Sequence, residues 1–272
     1  MYKSILVQFD IDRPATPLAR AAAGLARRFD ARLIGFSAAA VPPPIALPEG
    51  VAYDGSIWQV EQSEIEKRFE ALKAEFAAVV GGAGNAEWRH AVSEPTRTLA
   101  TTAWVADLIV LAAPHGATNR DIYRMVDTGS LVLQAGRPVL VVADGAEDIP
   151  LKRVVIAWKD TREARRAVAD ALPLLKLAEG VVIVSVDREP DDWLKASVAD
   201  VAALLATHGV RAETRVIKAK DEIGALAEFM AVPKADVVVS GAYGHSRLRE
   251  WAFGGVTRSL LDDGSISRLM SG

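Results

Sequence analysis

The sequence contains no cysteine. This absence excludes disulfide bonds, thiolate metal sites and cysteine nucleophiles, and it fits a reducing compartment. The chain also has no apolar run long enough to cross a membrane, and only a short apolar run precedes Asp10, with no small-residue cleavage site near it. We therefore expect a cytoplasmic protein with no membrane partner.

A basic surface is missing as well. The formal net charge is −3, so the protein has no positive field that would hold a phosphate backbone, and we expect no nucleic-acid partner. What the chain does have is 272 residues, of which 50% are hydrophobic and 25% charged. This composition is typical of an ordered globular protein, and the length suits two domains of about 130 residues each.

The chain reads as two copies of one unit. The first two pairs of matching segments are offset by 149 residues and the third pair by 129, so the first copy holds about 20 extra residues. The segments are 2–10 with 151–159, 30–37 with 179–186, and 106–112 with 235–241. The extra residues include a proline-rich insertion at about 41–57, which is a surface excursion, a lid or an arm that binds a partner.

In each copy, short apolar runs alternate with amphipathic segments, as strands alternate with helices in a parallel sheet. One apolar stripe recurs at steps of four and three residues and predicts a helix: Ile65, Phe69, Leu72, Phe76 and Val79. The pattern predicts an α/β protein with domains at 1–147 and 148–272. Each domain is expected to be an open five-stranded parallel sheet with helices on both faces.

Ligands of such sheets bind at the carboxyl ends of the strands, where the strand order reverses. The turns after both first strands lack glycine and no P-loop occurs, which excludes the usual dinucleotide and NTPase motifs. Asp10 and Asp12 are predicted to cap the next helix, and Thr161 is predicted to do so in the second copy. The four histidines show no metal spacing. We therefore predict no catalytic residue and no metal site.

A glycine-spaced loop at 241–257 follows the fourth strand of the second copy only. Its glycines are Gly241, Gly244, Gly254 and Gly255. Glycine lets backbone amides approach a phosphate, and a loop that leads into a helix directs those amides at an anion. Tight strand-to-helix turns also use glycine, so the spacing by itself leaves both interpretations open.

The tandem units and the G-x-x-G-x(9)-G pattern resemble the universal stress protein family in its two-domain form, as do segments 157–165 and 244–258. The resemblance implies two Rossmann-like (adenine nucleotide alpha hydrolase-like) domains and a regulatory, non-enzymatic role in stress response. It also implies that the second domain binds ATP, with Mg, or another adenine nucleotide. The implied binding residues are Lys159, Val186, Gly241, Tyr243, Gly244, Gly254, Gly255, Val256 and Thr257.

Two positions depart from the family pattern. Gly255 stands where the family usually has Ser or Thr, which removes one hydroxyl donor to a phosphate. Lys159 stands where the family has an Asp that contacts the adenosine, and a lysine cannot accept hydrogen bonds. Lys159 therefore reaches a phosphate or forms an ion pair with a neighbour such as Asp160. Val186 either flanks the adenine or packs in the core.

The first copy shows the opposite pattern. It keeps the first-strand acid, Asp10, but Val126 and Asp127 match the positions of Gly254 and Gly255. An acid at that place repels phosphate, so we predict a degenerate site and a structural role for this copy.

Association is the other expected route to function. The apolar fifth strand at 138–142 is predicted to lie at an edge of its sheet, which needs a cover. We expect the two copies to dock about a pseudo-twofold axis as an intramolecular pseudo-dimer, and a homodimer is a further expectation. Two functions compete with nucleotide-dependent signalling. They are a nucleotide-independent interaction scaffold of the same fold and a slow ATPase.

Overall fold

The computed structural model describes residues 1–43, 55–81, 84–113, 121–232, 234–242 and 264–272. Within these ranges, ten strands form one sheet. The strands are β1 Ser4–Gln8, β2 Arg32–Ala39, β3 Ala86–Val92, β4 Leu108–Ala112, β5 Val139–Val142, β6 Arg153–Ala157, β7 Gly180–Asp187, β8 Ala212–Lys218, β9 Val237–Gly241 and β10 Ser267–Ser271. The helices are α1 Thr16–Phe29, α2 Gly55–Val80, α3 Pro95–Thr102, α4 Thr128–Gln134, α5 Arg162–Leu175, α6 Asp192–Thr207 and α7 Glu222–Ala231, with a 3₁₀ turn at Ala103–Val105.

The strand order is β3-β2-β1-β4-β5-β10-β9-β6-β7-β8. Neighbouring strands are parallel except at the centre, where β5 and β10 run antiparallel with Leu140 opposite Leu269. Read outward from this central pair, the strands of the first half (β1 to β5) and of the second half (β6 to β10) follow the same order. The α/β class and the open, mostly parallel sheet predicted from the sequence are confirmed.

Both faces of the sheet are buried. Along β1, Ile5 and Val7 belong to the largest apolar cluster, whereas Leu6 belongs to a cluster on the opposite face. The largest cluster extends across both halves beneath α1, α2, α5 and α6. The opposite face carries two smaller clusters, one in each half. Because strands covered on both sides need apolar residues at every position, their sequences show short apolar runs instead of alternation.

The apolar stripe that predicts the helix before β3 lies on α2. Four of its members are buried against the sheet and the fifth is half-buried; they are Ile65, Phe69, Leu72, Phe76 and Val79. The cap predicted at the start of α5 is also present, since the Ala164 amide donates to Thr161 Oγ1 over 3.2 Å. Both helix predictions are confirmed.

The predicted capping role of the first-strand carboxylates is wrong. Helix α1 begins at Thr16 after an N-cap residue, Ala15, that makes no side-chain cap. Asp10 Oδ1 instead accepts a hydrogen bond from the Asp12 amide at 2.9 Å, which closes a turn before the helix. The Asp12 carboxylate is held by two hydrogen bonds from Arg124, at 2.7 and 2.5 Å. Three residues separate Asp12 from α1, and its side chain pairs with Arg124 instead of capping the helix.

The second strands of the two copies match at an offset of 148 residues, not the 149 predicted. The Phe9 amide donates to the Phe36 carbonyl, and the Trp158 amide donates to the Val184 carbonyl, each at 2.8 Å. Since Phe9 and Trp158 occupy the same place, Phe36 matches Val184. A shift of one residue exchanges the two faces of a strand, so Val186 corresponds to Ala38 of the first copy.

The polar segment between the halves, residues 144–149, is held against α1 by side-chain contacts. Three arginines, one before the helix and two within it, contact acidic residues of the segment and the Ile149 carbonyl, the latter at 2.7 Å. The pairs are Arg13 with Asp144, Arg20 with Glu147, and Arg28 with Asp148. Of the proline-rich insertion predicted at about 41–57, residues 44–54 lie outside the described residues.

Candidate functional site

The strand order reverses twice, between β1 and β4 and between β6 and β9. In sheets of this type the carboxyl ends of the strands at such a point border a ligand crevice. In the second half, Ala157 at the end of β6 pairs with Ser240 of β9. Lys159 follows β6 by two residues and Gly241 ends β9. The fold therefore brings these two predicted site residues to the same edge of the sheet.

Lys159 forms an ion pair, but not with its sequence neighbour. Its Nζ lies 2.9 Å from Glu222 Oε2, in the first turn of α7. Asp160, the partner named from the sequence, instead accepts two hydrogen bonds from Arg165, at 2.9 and 2.5 Å. The Lys159 side chain is 64% exposed and that of Glu222 is 24% exposed, so water screens the lysine end of the pair, and surface pairs contribute only about 0–1 kcal/mol. Lys159 can therefore leave Glu222 for another anion at little cost.

Glu222 is a candidate site residue that sequence reasoning missed. Its Oε2 lies 2.9 Å from Lys159 Nζ. Lys159 stands where the first copy has its first-strand acid, Asp10. Asp221, just before it, caps α7 by accepting hydrogen bonds from the Ile223 and Gly224 amides. Glu222 lies far from Lys159 along the chain, so only the folded arrangement shows that an acceptor is present at this edge.

Gly241 has a structural reason to be glycine. A methyl group built on it would lie 2.6 Å from the carbonyl carbon of Glu163 and closer still to the amide nitrogen of Ala164. Any side chain at this position would therefore collide with the backbone at the start of α5. The predicted contact of Gly241 with a nucleotide stays a prediction, beside this packing requirement.

Val186 lies near the carboxyl end of β7 and is half-buried. It packs against the smaller apolar cluster of the second half, which includes Val184, Met230 and Val238. This is the core contact that was one of its two predicted roles, and the contact with adenine stays a prediction. The other predicted site residues lie outside the described residues. They are Tyr243, Gly244, Gly254, Gly255, Val256 and Thr257.

The equivalent edge of the first half is occupied by its own side chains. Asp127 is the N-cap of α4, and its Oδ1 accepts a hydrogen bond from the Ser130 amide at 2.7 Å. A carboxylate therefore already occupies the start of the helix, where a phosphate would need free amides. Asp127 is one of the two positions at which the first copy lacks the glycines of the second copy.

The two first-strand acids of this half have pKa values that shift in opposite directions. Burial raises the pKa of Asp10, although the hydrogen bond from the Asp12 amide opposes the shift. The hydrogen bonds from Arg124 lower the pKa of Asp12. At neutral pH the Asp12–Arg124 pair is therefore stable, whereas the ionised form of Asp10 is disfavoured by its surroundings.

Metal chemistry has no support in the described part of the chain. No cluster of three histidine or acidic side chains that could hold a metal ion occurs there. His90 accepts a hydrogen bond from Trp88 Nε1 at 3.2 Å, and His208 ends α6. Within the same residues, no helix is long and apolar enough to cross a membrane.

The model of the universal stress protein family matches residues 1–143, which is more than half of the chain. A universal stress protein from Archaeoglobus fulgidus DSM 4304 has a similar structure, with a TM-score of 0.75, 14% identity, and coverage of 98% of this chain and 95% of that one. PA1789 from Pseudomonas aeruginosa PAO1, a functionally unknown protein, is also similar, with a TM-score of 0.59, 15% identity, and coverage of 99% of this chain and 92% of that one. Comparison with curated proteins finds no match. The chain belongs to the universal stress protein family.

Proposed function

We propose that the protein is a non-enzymatic stress-response regulator whose second half binds ATP, with Mg, or another adenine nucleotide. The observation that carries the proposal is the pairing of Ala157 with Ser240 at the point where the strand order reverses. This pairing brings Lys159 and Gly241 to the edge from which the chain enters the glycine-spaced residues 243–257. Small anions bind where backbone amides and a cation meet at such an edge.

Charge at this edge also supports a nucleotide ligand. Lys159 supplies a cation for the phosphates because its exposed pair with Glu222 is easily broken. Glu222 supplies a carboxylate that can accept hydrogen bonds from ribose hydroxyls or from the adenine amino group. The second half has Lys159 in place of the first-strand acid. Lys159 and Glu222 together provide a hydrogen-bond donor and an acceptor at this edge.

We propose that the first half is the structural partner of the second. Its helix start at Asp127 is already capped by a carboxylate, so one nucleotide per chain is expected. The antiparallel pair of β5 and β10 supports an intramolecular pseudo-dimer. A homodimer in the cytoplasm is a further proposal. It must use another surface because β5 is already paired with both β4 and β10.

The nucleotide content of the purified, denatured protein, measured by mass spectrometry, tests the proposal first. Calorimetric titration with ATP and magnesium then compares the wild type with Gly244→Asp. The matched control is Gly84→Asp, since Gly84 has open space around it in the first half. We expect one adenine nucleotide per wild-type and Gly84→Asp chain, and none in Gly244→Asp.

Absence of both bound nucleotide and heat at millimolar ATP would overturn nucleotide binding and leave the interaction scaffold. Multiple-turnover phosphate release that Gly244→Asp abolishes would instead favour the slow ATPase.

The role of Lys159 is tested by comparing ATP with adenosine. We expect Lys159→Ala to weaken ATP binding about tenfold, because a charge-assisted hydrogen bond to phosphate is lost, while adenosine binding is unchanged. Lys195→Ala is the control, since Lys195 is an exposed lysine with an acidic partner on α6. Equal weakening of ATP and adenosine would contradict a phosphate contact.

A further inference from the structure

A cavity lies between α5 and α6, on the face of the sheet that carries the largest apolar cluster. Its volume is about 310 Å³, which reaches the range of about 300–1,000 Å³ typical of small-molecule sites. Trp158, Trp193, Val201 and Leu204 form most of its apolar lining. Neither Lys159, Val186 nor Gly241 lines it, so this cavity, the indole cleft, is distinct from the described part of the proposed nucleotide site.

The second half lacks an aromatic cover that the first half has over the same strand position. The ring of Phe9 lies 5.7 Å from that of Phe76 and 5.8 Å from that of Trp88. Trp158 occupies the place of Phe9. The strand register matches Trp88 with Thr214, because Gly35 pairs with Trp88 and Ile183 pairs with Thr214. A large ring in one half is therefore replaced by an exposed, small side chain in the other.

The two indoles of the cleft differ in exposure. Trp158 is buried, and its Nε1 donates to Ser197 Oγ at 2.7 Å, which fixes the ring. Trp193, in the first turn of α6, is 74% exposed. Exposed tryptophans beside an apolar cavity mark binding surfaces, since their burial by a ligand removes a large apolar area from water.

The charges around the indole cleft favour a cation. Asp160 and Arg165 neutralise each other through two hydrogen bonds. Asp200 is exposed at the cleft, and no hydrogen bond or ion pair holds its carboxylate in the described part of the chain. Among the described residues, one negative charge without a paired cation therefore lies beside two indoles, whose faces attract cations.

We propose that the indole cleft binds a small organic cation, namely an amine or quaternary ammonium compound with an aromatic or aliphatic body. The apolar body lies against Trp158, Val201 and Leu204, and the cationic group lies between Trp193 and Asp200. The site does not require nucleotide, so its test is independent of the function proposed above.

Binding is tested with three probes that share a benzyl group and differ in charge. They are the cation benzyltrimethylammonium, neutral benzyl alcohol and the anion phenylacetate. The indole N–H signals of the six tryptophans are followed in ¹H–¹⁵N spectra and assigned with single Trp→Phe variants. We expect saturable shifts of the Trp158 and Trp193 signals with the cation, and an affinity at least about fivefold lower for the other two probes. The Trp104 signal, from an exposed residue of the first half, is expected to stay unchanged.

Variants of exposed residues separate the two contacts without risk to the fold. Trp193→Ala and Asp200→Asn are each expected to weaken binding of the cation about fivefold. Trp104→Ala and Asp192→Asn are the matched controls, because Trp104 is equally exposed and Asp192 lies on the same helix with its own partner, Lys195. Equal affinity for all three probes, binding that survives both variants, or no saturable shift would overturn the proposal.

Discussion

Phe9 and Trp158 occupy the same place in the two halves of the sheet, but their surroundings differ. Phe9 is enclosed by Phe76 and Trp88. Trp158 lines the indole cleft, and Thr214 stands where the first half has Trp88. A shared strand order therefore does not require a shared cover.

The two halves also differ at the carboxyl ends of β4 and β9. In the first half, Asp127 caps α4 with its own carboxylate. In the second half, β9 runs into the glycine-spaced segment, and Lys159, whose side chain is 64% exposed, is paired with Glu222. In the first half a carboxylate of the chain itself occupies the helix start, whereas in the second half an exposed lysine and an apolar cleft are open to a ligand.

The largest expected effect comes from removing the aromatic cover of the first half. Phe76→Ala should lower the free energy of unfolding by about 3–5 kcal/mol, because a buried ring is replaced by a cavity. Trp193→Ala, which removes an exposed ring from α6, should change it by no more than about 0.5 kcal/mol. Urea denaturation measures both variants. Similar losses would mean that Trp193 supports the fold as Phe76 does and that the two halves do not differ in this way.

Gly241→Ala is expected to have the next largest effect. The methyl group collides with the start of α5, and the strain should cost about 1–3 kcal/mol of stability in the absence of any nucleotide. Gly84→Ala is the control, since nothing lies within 4 Å of the added methyl group. A normally stable Gly241→Ala protein that fails to bind ATP would instead assign Gly241 to the ligand alone.

Loss of the cap on α4 should have a smaller effect. Asp127→Ala leaves the Ser130 amide without its acceptor and should cost about 1 kcal/mol. Asp127→Ser keeps an acceptor and should restore most of the loss. Thermal unfolding of the three proteins measures this series. If Asp127→Ser were as unstable as Asp127→Ala, the charge of Asp127, and not its capping bond, would stabilise the helix.

The smallest effects are expected at the first-strand acids, and they depend on pH. Burial raises the pKa of Asp10, so its ionised form destabilises the fold at pH 7, and Asp10→Asn should be more stable than the wild type there. The gain should vanish below about pH 4, where the unfolded carboxyl is also protonated. Urea denaturation at several pH values measures the change.

Asp12 provides the opposite control in the same experiment. Arg124 lowers the pKa of Asp12, so the stability that it contributes is present above the ordinary aspartate pKa and is lost as the pH falls through the lowered value. Asp12→Asn should therefore be less stable than the wild type at pH 7, and the difference should shrink in acid. Identical pH profiles for the two variants would contradict the opposite shifts.

The sequence predicts the elements of the fold better than their alignment. The stripe that includes Phe69 and Leu72 identifies α2 because a helical period leaves a repeated signal along the chain. The second strands are apolar at nearly every position, so a shift of one residue leaves their pattern unchanged. The offset of 148 therefore appears only in the backbone hydrogen bonds of Phe9 and Trp158.

Contacts between distant residues limit what the sequence predicts about the site. The pair of Lys159 with Glu222 joins the turn after β6 to α7, and no local pattern marks Glu222 as the partner. The match of Thr214 with Trp88 depends on the registers of β2 with β3 and of β7 with β8. The partner of a single charged residue and the register of two strands are set by tertiary packing. Local sequence patterns do not reveal either of them.

The central antiparallel pair also bears on the order in which the sheet can assemble. β5 needs only β4 to join the first half, but its other edge waits for β10, which follows every other strand along the chain. Until then β5 is an apolar strand with an open edge, which another chain can pair with. Contacts between segments so far apart form slowly because closing a long loop costs entropy. The middle of the sheet, and not its rim, is therefore the last part to close during folding.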